Sequence, residues 1–259
     1  MKKIATLFMF ALLNISLHSQ EKVILGHLLK FNDVIEVSLK IENKPNDNFH
    51  LIKIEALTVT EGNGKILSED FIIKEFRKAN VLARFKIDKN TKYKNLAVQG
   101  MIKYFTPSEN DKSYFNLGAV KNLKKNSNLI DKSITEKNPN LFFSIVNPET
   151  LDKTFSDFKD EMKSKGSKNI DFREYDLIYS YKTVKEQDFV VAVDEELEAG
   201  FEVLTLTDKK TGVKYKLIKL KRDMTASERE QIKIELMIEN KSSVVLIPFN
   251  FKKMEPKDL

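Results

Sequence analysis

Catalysis and ligand binding need particular side chains within reach of one another, and this chain is sparing with them. It holds three histidines, no cysteine and no tryptophan. Without cysteine there are no disulfides, zinc–thiolate sites, thiol nucleophiles or cysteine-linked lipid anchors. A serine nucleophile needs a base, most often histidine. His18 belongs to an apolar leader, which leaves His27 and His50. His27 lies inside an apolar run and reads as a core or edge residue of a strand. His50 opens a strand after a turn and reads as a strand-end residue. The sequence has no Gly-x-Ser-x-Gly, His-Glu-x-x-His, Gly-x-x-x-x-Gly-Lys or Gly-x-Gly-x-x-Gly, the local patterns of the common hydrolase, zinc and phosphate sites. An enzyme is therefore not expected, and no cofactor is implied.

Carboxylates and aromatics remain. Asp194, Glu195, Glu196 and Glu198 stand together ahead of Gly200. Ca²⁺ takes several oxygen ligands at once, so these are the candidate metal ligands, set against a plain charged loop between strands. Asp171, Glu174 and Asp176 form a second acidic group. Paired carboxylates about 5–9.5 Å apart can hydrolyse glycosides, but a chain with 38 acidic residues offers such pairs by chance. Tyr104, Phe105, Tyr114 and Phe115 flank the polar stretch Thr106 to Ser113, and Tyr179 and Tyr181 share one face of a strand. These are the candidate binding residues, because aromatics at the end of a sandwich can hold a sugar or a protein loop. The competing role is packing within and across strands.

The elements that would position these groups are strands. Ile54-Glu55-Ala56-Leu57-Thr58-Val59-Thr60 recurs as Phe201-Glu202-Val203-Leu204-Thr205-Leu206-Thr207, each copy followed by an acid and then by a glycine and a lysine. This is read as one strand and turn used twice. Ile35 to Glu42, Val81 to Asp88 and Ile232 to Glu239 alternate apolar with polar, the period of a half-buried strand. Glycines at 62 and 64 predict a hairpin after the first copy. Gly100 predicts a bulge or close backbone contact, and Pro248 a sheet edge or bulge. Val244 to Lys252 is expected to pair with Ile232 to Ile238. Asn147-Pro148-Glu149 starts a helix, whose apolar stripe is Leu151, Phe155, Phe158 and Met162 and whose end is marked by Lys163, Lys165 and Gly166.

The expected fold is thus mainly β: two tandem immunoglobulin-like β-sandwich domains, over 21–120 and 140–259, joined by a polar linker at 121–139. The second carries the single amphipathic helix near 148–165. Ahead of both, Met1-Lys2-Lys3, the apolar run Ile4 to Leu13 and a polar tail have the form of a secretory signal peptide over 1–20. The run is shorter than the roughly 20 residues a helix needs to cross a bilayer, and no later run is longer, so no transmembrane span is expected. The net charge of +6 is mild and interspersed, which argues against nucleic acid. The sequence points to an exported, non-enzymatic module protein, periplasmic or at the cell surface of a Gram-negative-type envelope. It would bind an envelope protein through the Thr106 to Ser113 loop and the edge near Pro248. One alternative is a glycan-binding domain assisted by calcium. The other is a carboxylate-dependent hydrolase built on Asp194, Glu195 and Glu196.

Overall fold

A computed structural model describes residues 21–156, 170–183, 187–220 and 223–258. The leader at 1–20 lies outside these residues, as do Phe158, Met162, Lys163, Lys165 and Gly166 of the expected helix. The protein is mainly β, with 47% strand against 12% helix. The chain first forms β1 (Val23–Phe31), β2 (Val34–Ile41), β3 (Leu51–Thr60), β4 (Ser68–Ile72), β5 (Val81–Lys86) and β6 (Leu96–Phe105). Then come β7 (Tyr114–Ala119), α1 (Lys132–Thr135), β8 (Phe142–Ile145), α2 (Pro148–Thr154), β9 (Leu177–Lys182) and β10 (Phe189–Val193). β11 (Glu196–Leu197), β12 (Glu202–Thr207), β13 (Lys214–Lys219), α3 (Ala226–Gln231) and β14 (Lys233–Ile238) follow, and β15 (Val244–Met254) and β16 (Lys257–Asp258) end the described chain.

These strands make sheets of order β16-β1-β2-β5-β4, β15-β6-β3, β11-β10-β14-β7 and β12-β13-β9-β8. The alternation read from the sequence sets the faces. Ile35, Val37 and Leu39 of β2 and Val81, Ala83 and Phe85 of β5 meet Ile52, Ile54, Val98, Ile102 and Tyr104 in a first core between the first two sheets. Phe143, Tyr179, Val191, Val193, Ile234, Leu236 and Ile238 belong to a second core between the other two. Each such aliphatic side chain contributes about 1.5–3 kcal/mol when fully buried, and with no cysteine this burial must hold the fold together.

A third apolar cluster joins the two bodies. Phe105 follows Tyr104, so its side chain leaves the opposite face of β6. It packs there with Leu51, Phe76, Val190, Ala192 and Met237. The four sheets therefore stack, with apolar contact at every layer boundary. A fourth cluster seats Leu151 and Phe155 against Ile178, Leu206 and Leu217, so α2 covers the outer face of the β12-β13-β9-β8 sheet.

Strand pairing departs from the expected order. β15 pairs along its length with β6, not with β14, while β14 lies between β10 and β7. Nor is 121–139 a bare connector. Val120 and Ile130 are buried in the second core, with Leu123, Leu129 and Ile134 packed on it. The Asn126 and Leu129 N–H groups donate to the carbonyls of Ile145 and Phe143 at 2.8 Å. The alternation of a strand reports which of its faces is dry. It carries no information about which neighbour lies beside it in the hydrogen-bonding direction.

The repeated stretch occupies the end strand of two different sheets, β3 beside β6 and β12 beside β13. After the second copy the chain closes the expected hairpin: Asp208 N–H donates to Val213 C=O at 2.9 Å and Gly212 has φ +72°. After the first, Gly64 has φ +89° and Glu61 N–H bonds to Lys65 C=O. That hairpin ends at the single bridge from Thr60 to Ile66. The chain then crosses to β4, which pairs with β5 in the opposite sheet. Gly100 makes the expected close contact, paired with Leu57 just beyond a β3 bulge between Ile54 and Ala56. A Cβ there would fall 2.0 Å from the Ala56 carbonyl oxygen. Pro248 lies on an end strand, as its missing N–H requires.

Candidate functional site

The junction between the bodies is the most chemically loaded part of the molecule. β6 delivers Lys103 to the same face as Phe105, and β3 delivers Lys53 and Glu55 beside it. The chain entering β10 contributes Asp188 and the chain leaving β14 contributes Glu239. Lys103 Nζ lies 2.8 Å from Glu239, 3.3 Å from Glu55 and 3.9 Å from Asp188, while Lys53 also pairs with Asp188. The Lys103 and Glu239 side chains are only 9% and 10% exposed. Burial pulls the Lys103 ammonium down, but Glu239 and Glu55 outweigh it and hold its pKa above the ordinary lysine value. Burial raises the Glu239 carboxyl, opposed by Lys103. Backbone bonds fasten the same place. Glu239 N–H donates to Asp188 C=O at 3.1 Å, Thr106 N–H to Ser243 C=O at 2.9 Å and Ile238 N–H to Ser113 C=O at 2.8 Å. The Thr106 to Ser113 loop thus ties the outgoing chain to the returning one.

Beside the junction is a cleft of about 210 Å³. Lys74, Glu75 and Phe76, from the connection between β4 and β5, form one wall. Tyr181, Phe189, Lys214 and Lys216 form the other. The Tyr181 ring packs 6.0 Å from those of Tyr179 and Phe189, with Lys214 and Lys216 Nζ 5.9 and 5.8 Å from its centroid. Burial, then Glu198 and Asp188, push the Tyr181 phenol up to about 12, so it stays a hydrogen-bond donor at neutral pH. Glu198 accepts from the Tyr179 hydroxyl and pairs with Lys216.

A second feature is the free edge of β15, an eleven-residue strand at the end of its sheet. Its adjoining Val245 and Leu246 are 56% and 48% exposed. Farther along are Pro248, the lysines 252 and 253, and a register break between Phe251 and Met254.

Of the aromatics singled out by sequence, Tyr181 lines the cleft. Tyr104, Phe105 and Tyr179 are interior, at 4%, 0% and 2% exposure. Phe115 packs on the second core. Tyr114 lies against the junction cluster, edge-on to Phe49 at 5.1 Å. It donates to Glu235 at 2.8 Å, and burial, then Glu235, raise its phenol to about 12. Both faces of β6 are covered near its end, so packing claims side chains that a single sandwich would leave at a wet rim.

The acidic run is pulled apart. Asp194 and Glu195 form a turn at φ 49° and 70°. Asp194 accepts from Lys233 N–H at 2.9 Å, and the Glu195 carbonyl accepts from Asn48 and Lys78. Glu196 is exposed and Glu198 turns inward. Among the described residues no group of three or more His, Cys, Asp or Glu is placed to hold a metal ion. Asp171 accepts from Arg173 N–H, and Asp176 pairs with Arg229 at 2.9 Å and accepts from Leu220 N–H, so these two acids of the second group are spent on local structure. His27 lies 3.0 Å from Glu36 and His50 2.7 Å from Asp47.

Sequence reading missed the junction cluster and the Lys74 wall. Lys103 did carry a signal: it is a lone charge inside Met101-Ile102-Lys103-Tyr104-Phe105, where both strand faces are otherwise apolar. No family model matches the chain, and no curated protein matches it in sequence.

Proposed function

We propose that the protein is an exported, non-catalytic β-sandwich protein of the cell envelope that takes up a segment of a partner protein along β15. The observation that carries this reading is the exposure of Val245 and Leu246 on an end strand. Edge strands expose a row of unpaired N–H and C=O groups and are usually blunted by lysine, proline or bulges. The Pro248 to Met254 half of β15 carries all of these devices. The Val244 to Ile247 half carries none, and its Val245 and Leu246 side chains face solvent while Val244 and Ile247 pack inward. An extended peptide added there would gain main-chain hydrogen bonds, with Val245 and Leu246 covering its alternate side chains.

In this reading the first body is an immunoglobulin-like sandwich. The order β1-β2-β5-β4 facing β15-β6-β3 is that of a constant-type domain, with the second body, β7 to β14, inserted before the last strand. The insertion replaces the tandem arrangement and makes the junction integral to the binding edge, since β15 begins there. Export rests on the basic start and short apolar run of 1–20.

The test is capture from envelope extract by the mature chain, run in parallel with Val245→Lys, Leu246→Lys and, as control, Lys252→Glu. The expected result is one retained envelope protein, lost with either lysine variant and kept with the control. Retention of nothing, or of the same protein by all variants, overturns the proposal.

A further inference from the structure

We infer that the cleft between Lys74 and Lys214 binds an acidic sugar, a single pyranose ring bearing a carboxylate. The inference is independent of strand addition at β15, since it rests on a different surface. Three properties of the cleft lead to it.

Size comes first. At about 210 Å³ the space is below the roughly 300–1,000 Å³ of sites for drug-sized molecules, so it suits one ring. The second property is the charge left over once the internal pairs are formed. Lys216 is matched by Glu198, and Asp188 by Lys53 and Lys103. Lys74 and Lys214 are exposed and have no carboxylate partner among the described residues. Two ammonium groups without a carboxylate partner on the lining of one cleft favour an anion there. Glu75, also on the lining, disfavours a bare anion and instead offers an acceptor to a hydroxyl.

The third property is the mixture of surfaces. Phe76, Phe189 and Leu197 give the cleft an apolar side on which the C–H face of a sugar can rest. The Tyr181 hydroxyl and the Thr183 side chain can donate to ring oxygens. Gln187 also lines the cleft. A flat aromatic acid would meet the lysines but leave these polar groups unanswered. A neutral sugar would do the reverse.

The experiment is calorimetric titration of the full mature chain at low salt with four probes: galacturonate, a galacturonate trimer, glucose and inorganic sulfate. Galacturonate is expected to bind saturably, at least about tenfold tighter than glucose, and to weaken as salt rises. A trimer that binds tighter identifies a polymer as the source, and equal binding identifies the free sugar; both support the site. Lys74→Ala and Lys214→Ala should each lower affinity about tenfold, and Lys40→Ala should not. Because these lysines are exposed, their variants should melt as the parent does; Lys74→Gln and Lys214→Gln serve if an alanine variant does not fold. No galacturonate binding at about 10 mM, equal binding of glucose or sulfate, or indifference to both lysine variants overturns the inference. Loss of the captured envelope protein in the Val245→Lys variant with sugar binding intact would separate the two proposals.

Discussion

Replacing Lys103 with methionine should reveal how the two bodies are locked. The change keeps the length of the side chain and deletes its ammonium. Of the three carboxylates around it, Glu55 and Asp188 are more than a third exposed, and Asp188 keeps Lys53. Glu239, at 10% exposure, is the one left stranded, with a backbone N–H from Asp188 at 3.3 Å as partial compensation. Removing one partner of a buried ion pair costs about 3–5 kcal/mol; the single stranded group and its remaining hydrogen bond place Lys103→Met at the lower end, about 3 kcal/mol at pH 8. The cost should depend on pH. Glu239 already holds its proton more tightly in the fold than when unfolded. Its contribution therefore improves as pH falls from its raised folded value toward 4.5, and is lost as pH rises through that value. Lys103, whose folded pKa is raised, gives its stability in full below 10.5 and loses it only as pH climbs through the folded value. Without the ammonium, Glu239 is shifted further upward, so the penalty should be about 1 kcal/mol smaller at pH 5 than at pH 8. Urea unfolding followed by far-UV circular dichroism measures this, the chain having no tryptophan to report by fluorescence. Lys103→Met/Glu239→Gln should be more stable than Lys103→Met alone. A cost below about 1 kcal/mol at pH 8, equal costs at both pH values, or a double variant no better than the single would refute the reasoning.

Other substitutions test other parts of the fold. Gly100→Ala puts a methyl against the Ala56 carbonyl and should cost about 1–3 kcal/mol in the same unfolding assay. Glu198→Ala strips the buried Tyr179 hydroxyl of its acceptor and should cost about 1–3 kcal/mol, with Glu198→Gln recovering part of the loss. Thr225→Ala breaks the capping box with Glu228 at the start of α3 and should lower stability by about 1 kcal/mol.

The two bodies meet through apolar packing at Phe105, Leu51 and Met237, through the Lys103 ion cluster, and through backbone bonds between the two crossing chains. A contact of this kind resists hinge motion. It also fixes the position of β15, whose first residues leave the junction, and of the cleft, whose walls come from both bodies. Any ligand that bridges Lys74 and Lys214 must act on a wall spacing set by this contact.

The sequence determined what depends on neighbours along the chain. Alternation at Ile35 to Ile41 and at Ile232 to Ile238 marked buried faces, and those residues are buried. Gly100 and Pro248 declared a close contact and an edge, because one needs the room of a missing Cβ and the other lacks an N–H. Gly64 and Gly212 marked turns at positive φ after both copies of the repeat. Only the tertiary structure decided that β15 returns to β6, that 121–139 packs on the second core, and that Tyr104 and Phe105 are both interior. Strand partners and stacked sheets are chosen by contacts between residues far apart in the chain, and period-two patterning is identical for every partner with the same dry face. The same limit hid the cleft: Lys74 and Lys214 are ordinary charged residues until folding brings both onto its lining.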